Sequence, residues 1–115
     1  MQRMIGGMSK RVEELFTASE NDVLRDTDLR QAPGPGAIGF WAASDVPDST
    51  ISIRVGGVSL INSQIVPDRG TDTPINENDQ APTAMSPTVG GELIQVDVVE
   101  ATAMSMRLVA VFIAA

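Results

Sequence analysis

The chain has 115 residues, 43% of them apolar but only 3% aromatic, and its 15 acidic and 8 basic residues leave a net charge of −7. That length fits one domain, or one domain with an arm, and the core must be filled by Val, Ile, Leu, Met and Ala. The charge repels phosphate backbones and anionic lipids, which argues against direct nucleic-acid or membrane binding. The absence of His and Cys removes Ser-His-Asp, Cys-His and Cys/His zinc chemistry, together with any disulfide.

Residues 1–30 read as an arm. Met4, Ile5, Met8, Val12, Leu15 and Phe16 recur at spacings of three and four, and Ser9 stands where an N-cap would. The spacing predicts a short amphipathic helix starting at Ser9, because Gly6 and Gly7 would each cost about 1 kcal/mol inside one. The opening residues lack the apolar run of a secretory signal, so export by that route is not expected. Arg3, Lys10 and Arg11 form the only basic cluster, too sparse to hold a nucleic acid. From Thr17 to Asp28 the chain is polar and acidic, a connector with a short strand expected at Val23–Arg25.

Residues 31–115 read as a β-sandwich or barrel. The Gln31–Gly36 stretch (QAPGPG) is a turn, followed by an apolar strand over Ala37–Ala43 that carries the single tryptophan, Trp41. In that company Trp41 reads as a core or intersubunit plug, with a carbohydrate-stacking platform as the alternative.

Thr50–Asn62 is a β-hairpin: Ile51, Ile53 and Val55 alternate with polar residues, and Gly56-Gly57 suits a type I′ turn. A two-residue loop sets Val55 opposite Val58, Ile53 opposite Leu60 and Ile51 opposite Asn62. Ile61 then falls on the polar face, which marks a bulge or a contact.

The Pro-punctuated stretch 67–91 is long for a structureless loop and reads as a contact surface including Ile75, or as a crossover hiding short strands. Leu93–Glu100 and Met104–Ile113 are expected to pair as a second hairpin through Ala101-Thr102. The final run, Arg107–Ala115, is about half the length of a membrane-spanning helix and β-branched. It reads as a strand whose end, with Phe112 and Ile113, is buried in the core or against another subunit.

Carboxylate pairs occur at Asp26/Asp28, Asp68/Asp72 and Glu77/Asp79, all in polar surroundings where solvent keeps both members ionised. No enzymatic site and no cofactor are expected. The oxygen-rich stretch Asp72–Asp79 lacks the glycine and terminal Glu of an EF-hand, so a structural calcium is a minor alternative to ordinary turn chemistry.

The succession of arm, GAIGFWAA strand, TISIRVGGVSLIN hairpin, Pro-rich loop and the strands GELIQVDVVEATAMSMRLVAVF resembles the small β-rich capsid cement or decoration proteins of tailed bacteriophages. The resemblance spans most of the chain and rests on layout. It implies a mainly β protein, an antiparallel sandwich or barrel open to a jelly-roll arrangement, assembled in the host cytoplasm into the virion. It further implies homo-oligomers, trimers above all, that bind between major capsid subunits. The apolar contacts would come from Ile5, Met8, Val12, Leu15, Phe16 and Ile75, with Trp41, Phe112 and Ile113 at the subunit interface. Two other readings stay open: a carbohydrate- or receptor-binding module of a fibre or spike, and a jelly-roll shell subunit.

Overall fold

The structure, a computed structural model, describes residues 9–45, 48–66, 81–99 and 106–115. Seven strands run in the order β1 (Ser9–Phe16), β2 (Gly36–Ser44), β3 (Thr50–Val55), β4 (Val58–Ile65), β5 (Ala84–Thr88), β6 (Ile94–Val99) and β7 (Met106–Ala114). They form two antiparallel sheets, one of four strands in the order β1-β7-β2-β5 and one of three in the order β4-β3-β6. The protein is mainly β, and no helix occurs among the described residues.

The core follows from the period of two along each strand. Ile38, Phe40 and Ala42 of β2 lie opposite Phe112, Ala110 and Leu108 of β7, and all six are buried. From the other sheet Ile51, Ile53 and Val55 of β3 meet Val98, Val96 and Ile94 of β6, also buried. The two sets belong to one continuous cluster.

The segment expected as a helix from Ser9 is the edge strand β1, with Val12 opposite Ala110 and Phe16 opposite Met106. Apolar residues at 12, 15 and 16 fit a helical stripe, yet in the strand Val12 and Phe16 turn inward while Leu15 turns out. The ladder to β7 outweighs the local pattern.

Residues 17–32 then run along the edge of β6. Val23 N–H donates to Val96 O at 2.9 Å, Ile94 N–H donates to Arg30 O at 2.9 Å, and Glu20 bridges Val98. Val23, Leu24, Leu29 and Ala32 are thereby buried in the core. The strand expected at Val23–Arg25 is instead a succession of tight turns, closed by Arg25 N–H to Asp22 O (3.1 Å) and Thr27 N–H to Leu24 O (3.0 Å).

The hairpin of β3 and β4 turns on Gly56 (φ 61°) and Gly57 (φ 83°), as a type I′ turn requires. Val55 faces Val58 as expected, but Ile53 faces Ile61 and Ile51 faces Gln64. Two bulges, each adding one residue to β4, correct the expected register. Their effect is to let both Leu60 and Ile61 rest against the core.

The second expected hairpin does not form: β6 pairs with β3, whereas β7 is flanked by β1 and β2 in the other sheet. Within the stretch 67–91, residues 84–88 are strand β5, paired with β2 from Phe40–Ala84 to Gly36–Thr88. The turn into β6 is held by Glu92, whose carboxylate accepts N–H groups from Val89 (2.8 Å) and Gly90 (2.7 Å). Those bonds, Val89 foremost, keep its carboxyl below the usual range.

Candidate interaction surface

The two outer faces of the sandwich differ in part: that of the three-stranded sheet is polar at its centre but carries exposed Ile65 and Val99, on either side of Thr50, at one end. On the three-stranded sheet Ser52 and Arg54 of β3 and Gln95 and Asp97 of β6 point outward, joined by Ser59 and Asn62 of β4 around a shallow depression. Beside it a cleft of about 310 Å³ runs between the 22–30 turns and β6, lined chiefly by Asp22, Arg25, Asp26, Arg30 and Gln95. Its charges compensate one another: Arg25 approaches Asp26 at 3.8 Å, and Asp97 accepts the Asp22 N–H at 2.8 Å.

On the four-stranded sheet the cross-strand registers set out the outer face in rows: Pro87-Ala37-Ile113-Ser9, then Met85-Gly39-Val111-Arg11, then Trp41-Val109-Glu13, then Ala43-Arg107-Leu15. Trp41 and Val111, both partly buried, pack on the buried pair Ala43 and Val109 in a small cluster separate from the core. Around this cluster Leu15, Met85 and Ile113 remain 58%, 58% and 56% exposed. The face is therefore apolar over β5, β2 and β7, and bounded by charge along β1.

That boundary is an ion-pair group. The Glu13 carboxylate accepts from Arg107 on the neighbouring strand and, at 3.1 Å, from Arg11 two residues away on its own strand. The Arg107 hydrogen bond foremost, then that of Arg11, holds the Glu13 carboxyl below the usual range against the opposing effect of partial burial. No significant match was found among protein-family models, curated proteins or solved structures. Function is therefore read from the chemistry of these faces.

Of the contact residues expected from sequence, the structure places Leu15, Trp41 and Ile113 on the outer face of the four-stranded sheet, with Leu15 and Ile113 at opposite ends of the β1–β7 ladder. Phe16 and Phe112 lie in the core and Val12 packs against it, because each points to the inner side of its strand. Ile5, Met8 and Ile75 lie outside the described residues, as do Asp68/Asp72, Glu77/Asp79 and the oxygen-rich stretch 72–79. Among the described residues no three carboxylates converge as a metal site would require. Asp26 and Asp28 point into solvent, their side chains 92% and 82% exposed. Met85 and Pro87 fall within the stretch 67–91 expected as a contact surface or a crossover with hidden strands, but neither residue stood out singly, because Ala84–Thr88 is short and interrupted by proline.

Proposed function

We propose that this protein is a non-enzymatic structural protein of a virion: a capsid cement or decoration protein that lies between major capsid subunits and stabilises the shell. The observation that carries this reading is the apolar outer face of the four-stranded sheet, where Met85 and Ile113 lie exposed around the Trp41 cluster. Contiguous apolar patches, unlike singly exposed hydrophobic residues, often mark interaction sites. Leu15, Met85 and Ile113, each a little over half exposed, would each yield about 1–2 kcal/mol if their remaining surface were buried against a partner. Trp41 offers a rigid aromatic anchor at the centre of the patch. Its contact would be repeated at many equivalent lattice positions, so modest affinity per copy suffices to raise the force needed to open the shell. The acidic remainder of the surface keeps the decorated particle in solution.

The test is co-sedimentation of the purified chain with empty shells assembled from tailed-phage major capsid protein, comparing wild type with Met85→Asp/Ile113→Asp. Saturable binding by wild type and none by the variant is expected. The position of Trp41, partly buried on the outer face of the four-stranded sheet, favours as a second reading a carbohydrate-binding module of a fibre or spike. In that case sugars would shift the Trp41 fluorescence and the shells would not retain the chain.

A further inference from the structure

Strand β1 ends the four-stranded sheet. Among the described residues its backbone pairs with β7 alone and no backbone hydrogen bond reaches its other edge, while the Lys10 side chain stands 4.0 Å from the Asp28 carboxylate. An eight-residue unpaired edge is a template for another strand, and proteins often guard such edges with charge. The charges here have an order that does more than guard: Lys10-Arg11-Val12-Glu13-Glu14 reads as two cations, a valine and two anions.

We propose that β1 pairs antiparallel with β1 of a second copy about a two-fold axis through Val12. Val12 then lies opposite the partner's Val12, Lys10 opposite the partner's Glu14, and Arg11 opposite the partner's Glu13. Directly opposed residues of an antiparallel pair point to the same side of the sheet. Lys10, Val12 and Glu14 sit on the inner side of β1, while Arg11 and Glu13 sit on the outer side, so both sets of ion pairs match in direction. Sliding by one step in either direction that preserves the faces centres the axis on Arg11 or on Glu13, and sets like charges against each other. Only the Val12 register places each of the four charged residues opposite its complement. An edge charged in this order admits one partner, itself, in one register.

The consequence is a continuous sheet of eight strands. Two apolar patches, each centred on a Trp41, face the same way on either side of a charged seam formed by Arg11, Glu13, Arg107 and their symmetry mates. The assembly is a two-fold dimer rather than the trimer that the layout implies. It does not depend on what the apolar face binds, although a bivalent face suits a protein that bridges neighbouring subunits.

Sedimentation equilibrium of the full chain tests it, with Lys10→Glu and Glu14→Lys as variants that leave the Glu13–Arg107 pair in place. Asp28→Ala is the control for the intrachain Lys10–Asp28 contact that Lys10→Glu also removes. Wild type should be a dimer whose dissociation constant rises with salt. Each variant alone sets two like-charge pairs across the seam and should dissociate about thirtyfold more readily. An equimolar mixture of the two variants restores every pair and should recover the wild-type affinity as a heterodimer. A monomeric or trimeric wild type, variants that dimerise as tightly as wild type, or a mixture no tighter than its components would each overturn the proposal. Should either variant fail to fold, the wild-type salt series decides alone, and a dimer indifferent to salt counts against the β1 seam.

Discussion

The indole of Trp41 lies over Gly39 on the same strand, its Cη2 and Cζ3 atoms within 2.8 and 2.9 Å of where a β-carbon at position 39 would stand. The glycine gives the ring room to lie flat on the sheet, where it packs with Ala43, Val109 and Val111. Gly39→Ala should lift the ring from the sheet at a cost of about 1–3 kcal/mol. The tryptophan emission should move to longer wavelength, and a spectrum unchanged from wild type would show that the ring does not depend on that space.

At the start of the same strand the constraint is backbone against backbone. A β-carbon at Gly36 would come within 2.2 Å of the Ile113 carbonyl oxygen. Gly36→Ala should therefore cost about 3 kcal/mol by forcing β2 away from β7, the upper end of the usual overpacking range. Chemical denaturation checks this, and Gly57→Ala, where no atom lies within 4 Å, separates crowding from the strain of its φ of 83°.

The central strand should dominate stability. Leu108 is fully buried between the sheets, on the strand that holds β1 and β2 together. Leu108→Ala should cost about 2–5 kcal/mol. The exposed Leu15→Ala should stay within about 0.5 kcal/mol of wild type.

Glu13 makes stability depend on pH. Its folded pKa lies below the unfolded value because the carboxylate is bound by Arg107 and Arg11. Its contribution is complete above the ordinary Glu pKa of about 4.3 and is lost as pH falls through the depressed folded value. Glu13→Gln, compared with wild type at matched low concentration, should be about 1 kcal/mol less stable at neutral pH, and the gap should close in acid. A gap that persisted in acid would place the effect in packing.

The strands most legible in the sequence were those bounded by clear turn signals. The hairpin of β3 and β4 followed from alternation and Gly56-Gly57, and β2 from an apolar run between turn signals. Strand β7 was legible as a strand but not in its pairing. Its outer residues Val109 and Val111 are covered by the Trp41 cluster, so its alternation is blurred and β6 looked an equally good neighbour. Strand β1 was misread because Val12, Leu15 and Phe16 happen to repeat at helical spacing. At the candidate surface, Trp41 could be named as the single tryptophan, Ile113 from the apolar C-terminal run and Leu15 from a helical spacing that proved to be a strand, but only the registers of β2 with β5 and β7 reveal that they share a face with Met85.

The most direct measurement is the stoichiometry and strength of binding to the empty shells, read by co-sedimentation and by the temperature at which the decorated shells open. Wild type should bind at a fixed number of copies per shell and raise that temperature, while Met85→Asp/Ile113→Asp, folded as judged by its denaturation midpoint, should do neither. Binding by the variant as tight as that of wild type would contradict the assignment of function to the outer face of the four-stranded sheet.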